Sequence, residues 1–330
     1  MSYADVKEIE AHVKKQSVPF HSAKRALHEV IVGQETLINR LLIGLLAEGH
    51  LLLEGLPGLA KTLAMVSLSQ IIACQYSRIQ FTPDLLPADL IGTTLYHPQT
   101  ATFSVKKGPL FSHLILADEI NRAPGKVQSA LLEAMQERQI TIGDETFPLE
   151  RPYLVVATQN PVEHEGTYPL PEAQIDRFLM KVRIDYPDRD EEKEIIRRFG
   201  GIHSPARLEP VVTREQIASA RSVIDAIYID EKIVQYILDI VLSTRTSQTK
   251  GSPIEGMLEF GASPRATLAF VSCAKAHAFL EGRGYVTPHD VKSLAHDILR
   301  HRIRLTYGAL AEGMTPERLI DQILNSLIVP

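Results

Sequence analysis

The sequence has no tryptophan, only two cysteines and no long apolar run among its 330 residues. Cys74 and Cys273 each lie in an apolar helical pattern, which predicts buried reduced thiols and not a disulfide framework. The longest apolar region, Leu41–Leu56, is interrupted by acidic and histidine side chains and falls short of the ~18 clean residues that a membrane helix needs. The first ten residues are polar and acidic and do not resemble a secretory signal. We therefore expect a soluble, cytoplasmic protein without membrane insertion.

Long basic runs are missing as well, and the net charge at pH 7 is −5. A protein that coats nucleic acid neutralises many phosphates with lysine and arginine, so a nucleic-acid partner is not expected. Lys14-Lys15 and the spaced Arg300, Arg302 and Arg304 come nearest to a basic cluster. We interpret these three arginines as part of a solvated helix face, where charged helix residues usually lie.

The chain is long enough for two domains at roughly 150 residues each. Up to about residue 200, apolar runs that predict strands alternate with helical patterns. This alternation is typical of a parallel sheet covered on both faces, and right-handed crossovers make such a sheet doubly wound. We therefore predict that residues 1–200 form an α/β domain. Its predicted strands are His50–Glu54, Cys74–Gln80, Leu114–Asp118, Tyr153–Thr158 and Leu179–Ile184.

Two insertions interrupt the alternation, at about 83–108 and 139–152. Alternating side chains in both predict β-hairpins, and insertions of this length in a compact domain are usually functional. After about residue 200 the strand signals stop and helix-period apolar residues follow, so residues 201–330 are predicted to form an all-helical domain. Its helices are predicted to begin at the capping residues Thr213, Asp230, Ser263 and Thr287.

The segment Gly55-Leu-Pro-Gly-Leu-Ala-Lys-Thr62 lies between a predicted strand and a predicted helix, Thr62–Ala73. Small residues let successive N–H groups turn around an anion, and the following helix points its positive end at the same place. Lys61 supplies a mobile charge for the β- and γ-phosphates of ATP, and Thr62 supplies a hydroxyl for Mg²⁺. Ala60 replaces the usual glycine, and we expect it to have the negative φ of a first helical turn. The alternative is a Gly/Pro turn that happens to end in Lys-Thr.

Two of the predicted strands end in polar side chains. Leu114–Asp118 is followed by Glu119, and Tyr153–Thr158 is followed two residues on by Asn160. The carboxyl ends of neighbouring parallel strands converge on one crevice, where Asp118 would hold the Mg²⁺ shell through water and Glu119 would act as general base. Asn160 would fix the attacking water through its amide. Taken singly, these residues also fit a solubilising turn and an Asn-Pro turn.

Four stretches of the chain carry a resemblance to a known family. GLPGLAKT, LILADEINRAPGKVQSALLEAMQE, ATQNPVEHEGTYPLPEAQIDRFLMKV and GASPRA resemble the MoxR family of AAA+ ATPases, and the second and third stretches are long and specific. The resemblance covers most of the chain. It implies a P-loop AAA+ domain with a helical lid domain, and alanine is usual before the phosphate-loop lysine in such families.

The resemblance also implies roles for single residues. Asn160 corresponds to the sensor-1 position, Arg177 to an arginine finger that reaches the neighbouring subunit's γ-phosphate, and Arg265 to sensor 2 at the start of a lid helix. Without the motif, Arg177 would be interpreted as a surface ion pair with Asp176 or Glu172. The expected catalytic residues are Glu119, Asn160, Arg177 and Arg265. The expected nucleotide-binding residues are Val32, Gly33, Gly55, Pro57, Gly58, Leu59, Ala60, Lys61, Thr62 and Asp118.

Larger segments correspond to family features too. Val32-Gly33-Gln34 resembles the segment that packs near the adenine, residues 83–108 correspond to the helix-2 insert, and 139–152 to the hairpin before sensor 1. The role of Arg122 is left open between a subunit-facing residue and the start of the next helix.

The resemblance implies ATP and Mg²⁺ as cofactors and a homo-oligomer, expected to be a hexameric ring. The leading hypothesis is chaperone-like remodelling, assembly or activation of a partner, for which a protein with a von Willebrand factor A domain is expected. A nucleotide-dependent scaffold with little turnover and a magnesium-chelatase-like motor subunit are the alternatives. A DNA-acting motor is a third, against which the negative net charge counts.

Overall fold

The computed structural model describes residues 3–161, 167–201, 208–245 and 254–330. The chain divides into two compact units, here named the sheet unit and the helical unit. The sheet unit comprises Pro19–Gln174 and Val182–Ile217, and the helical unit comprises Met1–Val18, Ile175–Lys181 and Ala218–Pro330. The domain boundaries expected from the sequence stay a prediction. In the described residues, no helix is long and apolar enough to cross a membrane.

Helices and strands alternate through the first part of the chain, and helices predominate after that. The strands are β1 (Leu51–Glu54), β2 (Tyr76–Gln80), β3 (Gly92–His97), β4 (Thr102–Lys107), β5 (Leu114–Asp118), β6 (Gln139–Ile142), β7 (Glu145–Pro148), β8 (Leu154–Gln159), β9 (Met180–Arg183), β10 (Leu258–Phe260) and β11 (Arg304–Leu305). The α-helices are α1 (Tyr3–Gln16), α2 (Val18–Val30), α3 (Glu35–Leu46), α4 (Lys61–Ile72), α5 (Pro87–Ile91), α6 (Gly125–Glu137), α7 (Glu172–Ile175), α8 (Arg189–Phe199), α9 (Arg214–Ala226), α10 (Glu231–Ser243), α11 (Pro264–Leu280), α12 (Pro288–Leu299), α13 (Tyr307–Ala311) and α14 (Pro316–Ser326).

Five strands form one sheet in the order β2-β5-β8-β1-β9. The first four pair in parallel, so their carboxyl ends lie at the same edge. The interior strand β5 is fully buried from Leu114 to Ala117, as expected for a strand covered on both faces, whereas the edge strand β2 exposes Arg78 and Gln80. The predicted parallel α/β sheet is confirmed, and each predicted strand is present with its ends shifted by at most two residues.

The order of the strands also determines where a crevice forms. The chain leaves β1 for the far edge at β2, returns through β5 to β8, and then passes β1 to reach β9. The connections on the two sides of β1 therefore run in opposite directions, and such a reversal leaves a crevice at the carboxyl ends of the strands. The loop 55–60 begins at this place.

Antiparallel hairpins are present in both insertions. β3 pairs with β4 over its whole length, directly after the short helix α5. β6 pairs with β7 around a turn at Gly143, whose φ of 61° favours glycine. Tyr96 and Phe103 are exposed on the first hairpin, with ring centroids 5.0 Å apart. Both hairpins predicted from the alternating pattern are therefore found, while α5 was not predicted.

Helices of the helical unit begin at polar residues that accept hydrogen bonds from the first turn. Ser263 Oγ accepts from the N–H of Arg265 at 3.2 Å, and the Asp230 carboxylate accepts from the N–H of Lys232 at 2.9 Å. These caps satisfy N–H groups that have no partner inside the helix, so these two of the four predicted caps are confirmed. The short ribbon of β10 and β11 was not predicted, because strands of three and two residues are too short to show an alternating pattern.

The interpretation of Arg300, Arg302 and Arg304 as part of a solvated helix face was wrong, because all three follow the last residue of α12. α12 ends at Leu299, and the side chain of Arg302 beyond it is only 2% exposed. Its Nε lies 2.9 Å from an Asp176 oxygen, and its Nη atoms donate to the carbonyl oxygens of Phe178 and Ile298. A buried guanidinium needs such partners, since an unpaired charge is costly to remove from water.

Both cysteines are free thiols. Cys273 is buried in α11, as predicted, whereas Cys74 lies beyond the end of α4 and is only partly buried. Burial raises the pKa of Cys74 to about 12, so this side chain stays protonated and weakly nucleophilic at neutral pH.

Candidate active site

Eight residues predicted from three separate segments line one cavity of about 360 Å³ at the carboxyl edge of the sheet. Five of them carry functional side chains, namely Lys61, Thr62, Asp118, Glu119 and Asn160, and the other three are the loop residues Pro57, Gly58 and Ala60. The cavity lies where the chain leaves β1, β5 and β8, which is the edge at which a parallel sheet presents its loops. The wall is completed by Leu63, Arg78, Gln80 and Thr158.

The loop between β1 and α4 turns through two residues with positive φ. Gly58 has a φ of 84° and Ala60 a φ of 57°, Leu59 between them is buried, and α4 begins directly afterwards at Lys61. Alternation of left-handed and right-handed residues turns successive N–H groups toward one point and makes a concave anion site. The expected negative φ at Ala60 was therefore wrong, because this residue belongs to the turn and precedes the first helical residue.

Lys61 carries its ammonium group at the wall of this cavity. The residue is 9% exposed, and Nζ donates to the carbonyl oxygen of Gly55 at 2.8 Å. Burial lowers the pKa of Lys61, and the charges of Asp118 and Glu119 act in the opposite direction. The two carboxylates thus favour the charged form of a lysine that burial alone would tend to neutralise.

The Asp118 carboxylate has partners on both of its oxygen atoms. Oδ1 accepts from the Thr158 hydroxyl at 2.6 Å, while Oδ2 accepts from Arg78 Nη2 at 2.6 Å and Arg78 Nε at 3.2 Å. The pairing of β2 with β5 sets this contact, because it places Gln80 opposite Asp118 and Arg78 two residues earlier on the same face. Asp118 therefore lies between a hydroxyl group and a guanidinium group.

Glu119 follows β5 in a left-handed conformation, with a φ of 57°. Its N–H donates to Thr158 Oγ1 at 2.9 Å, and its Oε2 accepts from Gln80 Nε2 at 2.8 Å and Arg122 Nη1 at 2.9 Å. A positive φ is strained for glutamate and persists where the surrounding contacts over-determine the backbone. The turn brings the carboxylate to the side chains of β2. Arg122 forms an ion pair with Glu119, and its role stays open between the two alternatives.

Arg78, Gln80 and Thr158 were not identified from the sequence. The sequence feature that could have indicated them is the spacing of Arg78 and Gln80. They lie two residues apart at the carboxyl end of a predicted parallel strand, so their side chains share one face. Thr158 likewise ends a predicted strand, two residues before Asn160. Polar side chains at the carboxyl end of a parallel strand therefore lie at the same edge as the recognised motifs.

Val32 and Gly33 lie elsewhere in the sheet unit, between α2 and α3, and are not among the residues that line this cavity. Gly33 has a φ of 64°, and a Cβ atom there would lie 2.5 Å from a carboxylate oxygen of Glu191. The left-handed conformation therefore favours glycine at this position, whereas the Glu191 side chain could turn away from a Cβ atom.

Arg177 and Arg265 belong to the helical unit and are described within it. Arg265 lies in the first turn of α11, and its Nη1 is 3.4 Å from Asp176 Oδ2. Asp176 also pairs with Arg302 and accepts from Ser263 Oγ at 2.9 Å. Arg177 is exposed, and over the described ranges its guanidinium has no hydrogen bond or ion pair. The alternative, an ion pair between Arg177 and Asp176, is therefore not formed in the structure. Residues 162–166 of the third recognised stretch lie outside the described residues.

Known proteins resemble this chain over almost its whole length. Residues 50–180 match the ATPase family associated with various cellular activities (AAA), and residues 253–323 match the AAA lid domain. The chain is 46% identical to Chaperone MoxR1 of Mycobacterium tuberculosis over 94% of this chain and 83% of that protein. It is 30% identical to Protein MoxR of Paracoccus denitrificans over 98% and 99% of the two proteins. A crystal structure of a protein assigned as an ATPase from Cytophaga hutchinsonii is 47% identical, with 98% of each chain covered and a TM-score of 0.91. The predicted fold class, an α/β domain with a lid domain, is confirmed.

Proposed function

The chain belongs to the MoxR family of AAA+ ATPases, and we propose that it hydrolyses ATP to ADP and phosphate in the cavity beside β1. One observation carries the proposal: a lysine, a threonine hydroxyl, two carboxylates and an amide meet in about 360 Å³. Phosphoryl transfer depends on positioning and charge stabilisation more than on covalent chemistry. This set of side chains supplies both.

The loop from Gly55 to Thr62 binds the phosphates in this proposal. The positive φ values of Gly58 and Ala60 support a concave arrangement of N–H groups, and the amino end of α4 adds its partial positive charge. Lys61 exchanges its hydrogen bond with Gly55 for the β- and γ-phosphate oxygens. Val32 and Gly33 are proposed to border the adenine.

The oxygen donors of Thr62 and Asp118 fit Mg²⁺, which prefers hydroxyl, carboxylate and water ligands. A bound Mg²⁺ would supply positive charge that neutralises the charge developing on the transferred phosphoryl group. Thr62 would contribute its hydroxyl, and Asp118 would hold the metal shell through water. Thr158 fixes the orientation of the Asp118 carboxylate through its hydrogen bond with Oδ1.

Glu119 and Asn160 act on the attacking water. Asn160 orients the water through its amide, and the Glu119 carboxylate accepts a proton as the water oxygen bonds to the γ-phosphorus. The bond between that phosphorus and the β,γ-bridging oxygen breaks, and ADP leaves. Hydrogen bonds from Gln80 and Arg122 fix the orientation of the Glu119 carboxylate.

Arg177 and Arg265 are proposed to complete the reaction in a homo-oligomeric, hexameric ring. Arg177 reaches the γ-phosphate of a neighbouring subunit, and Arg265 responds to the γ-phosphate as sensor 2. The exposed guanidinium of Arg177 supports a role outside its own subunit. An arginine supplied in trans contributes on the order of 10³–10⁵ to turnover, so activity would depend on assembly.

The proposed output is chaperone-like remodelling, assembly or activation of a partner protein in the cytoplasm. The name of the relative Chaperone MoxR1 supports this output, and a protein with a von Willebrand factor A domain is the proposed partner class. A pull-down with Glu119→Gln held in its ATP state would identify the client.

The hydrolysis proposal is tested by measuring nucleotide binding and steady-state turnover of the purified chain. Lys61→Ala is expected to lose both, and Glu119→Gln is expected to keep binding while turnover falls by about 10²-fold or more. Glu133→Gln removes an exposed carboxylate of α6 outside the cavity and serves as the matched control with wild-type turnover. Near-wild-type turnover in Lys61→Ala or Glu119→Gln would refute the proposal.

The trans role of Arg177 is tested in the same assay by mixing variants. Arg177→Ala and Glu119→Gln are each expected to be inactive alone, and their mixture is expected to regain turnover. The regained sites combine an intact Glu119 with an intact Arg177 from the neighbouring subunit. Wild-type turnover of Arg177→Ala alone would show that this arginine takes no part in ATP hydrolysis.

The alternatives predict different results in these measurements. A scaffold binds ATP tightly but turns over little at any protein concentration. A magnesium-chelatase-like motor subunit would be indicated by capture of chelatase subunits in the Glu119→Gln pull-down. Stimulation by DNA with a steep salt dependence would indicate a DNA-acting motor.

A further inference from the structure

A circuit of hydrogen bonds joins β2 to the two acidic residues of the cavity. Arg78 Nη2 donates to Asp118 Oδ2 and also to Gln80 Oε1 at 3.1 Å, and Gln80 in turn donates to Glu119. Thr158 closes the circuit, because its hydroxyl donates to Asp118 and accepts from the Glu119 N–H. Asp118, the carboxylate proposed to hold the metal shell, thus already has a cationic partner.

We propose that Arg78 competes with the divalent cation for Asp118 and so sets the Mg²⁺ concentration that nucleotide binding requires. In this inference, which rests on the proposed nucleotide and metal site, Arg78 occupies Asp118 Oδ2 in the nucleotide-free protein. It leaves that oxygen when the metal arrives with ATP. Arg78 is therefore a positioning residue that acts through Asp118 and does not itself touch the reacting atoms.

The charge of Arg78 makes this competition unavoidable. A guanidinium does not lose its proton in proteins, and the hydrogen bond with Asp118 raises the pKa of Arg78 further. A cation already on a carboxylate reduces the attraction of that carboxylate for a second cation. The metal can therefore use the full charge of Asp118 only after Arg78 has moved.

The exposure of the two side chains indicates which of them moves. The Arg78 side chain is 48% exposed and the Asp118 side chain 14%, so the guanidinium can turn into solvent and remain hydrated. Asp118 is fixed at its other oxygen by Thr158. The movement consequently takes place in the arginine, while the carboxylate keeps its position at the cavity.

The geometry of the pair is that of a displaceable contact. Both N–H donors of Arg78 reach the same oxygen, Oδ2, so the pair lacks the two parallel bonds that strengthen an arginine–carboxylate pair. Arg283 and Asp290 in the helical unit show the contrast, because Arg283 uses both oxygens of a fully buried carboxylate. The latter pair is built to persist, whereas the Arg78 pair has the weak energy of an exposed ion pair.

The test is a Mg²⁺ titration of the full chain with a fluorescent ADP analogue, which reports binding without turnover. Arg78→Gln is expected to lower the Mg²⁺ concentration at half-maximal binding by about threefold to fivefold, since fivefold corresponds to the ~1 kcal/mol upper range of an exposed ion pair. Titration with Mn²⁺ alone, followed by electron paramagnetic resonance, is expected to shift in the same direction. Arg78→Lys keeps a cation with a single contact and is expected to give a smaller shift.

The matched control is Arg25→Gln, which removes the same charge from an exposed site on α2 and is expected to leave the midpoint unchanged. An unchanged or higher Mg²⁺ midpoint in Arg78→Gln would overturn the inference, and a higher one would mean that Arg78 assists nucleotide binding. If Arg78→Gln does not fold, the Arg78→Lys midpoint decides in the same way. Wild-type protein that binds no nucleotide at any Mg²⁺ concentration would instead overturn the proposed function, so the two failures are distinguishable.

Discussion

Replacing Ala60 with glycine is expected to stabilise this protein, although the same replacement inside a helix destabilises. Ala60 has a φ of 57° and lies directly before α4. A side chain with a Cβ atom is strained in this left-handed conformation, and glycine is not. Because the substitution adds no atoms to the cavity wall, Lys61 and Thr62 should keep their places and nucleotide binding should be retained.

The size of the effect follows from two opposing terms. The left-handed conformation costs an alanine roughly 1–2 kcal/mol, while glycine loses about 0.4–1 kcal/mol more conformational entropy on folding. The free energy of unfolding should therefore rise by about 0.8 kcal/mol, within a range of roughly 0–1.6 kcal/mol. In a domain of about 150–250 residues, a change of ~1 kcal/mol moves Tm by about 2–4 °C.

Urea unfolding and thermal unfolding of the two proteins measure this difference. The matched control is Ala64→Gly, four residues later in α4, where the side chain is fully buried. Glycine in a helix interior costs about 1 kcal/mol, so this control should change stability in the opposite direction. If Ala60→Gly loses stability as Ala64→Gly does, Ala60 is not left-handed and the description of the loop is incorrect.

Two further predictions concern buried titratable groups. His50 is buried between the Met135 carbonyl and the Val155 N–H, and burial lowers its pKa from 6.5 to about 4. Between these two pH values the unfolded chain therefore binds a proton that the folded chain does not. The free energy of unfolding should fall by about 1 kcal/mol per pH unit as pH drops from 6.5 toward 4. Urea unfolding across this window should show a shallower fall for His50→Gln, and an identical fall would exclude His50 as the cause. Asp290→Asn should lower the free energy of unfolding by about 3 kcal/mol, because it leaves the guanidinium of Arg283 without its buried anion. The control Asp321→Asn, at an exposed pair on α14, should stay within about 1 kcal/mol of wild type, and equal losses in both variants would contradict this reasoning.

The sequence by itself determined the features that depend on near neighbours along the chain. The predicted bounds of β5, Leu114–Asp118, coincide with the observed ones, because apolar periodicity and its interruption are local properties. The grouping of Lys61, Asp118 and Asn160 followed from parallel winding, which brings the carboxyl ends of strands to one edge. The roles of Arg177 and Arg265 stay a proposal.

Only the tertiary structure decided which charges meet and which backbone angles are strained. Arg78 and Asp118 are 40 residues apart in the chain, and Arg302 and Asp176 are 126 apart. Such pairs depend on strand register and on burial by other segments, and neither is encoded in a local pattern. The sign of φ at Ala60 was decided in the same way, because it is set by the direction in which the chain must leave β1 to enter α4.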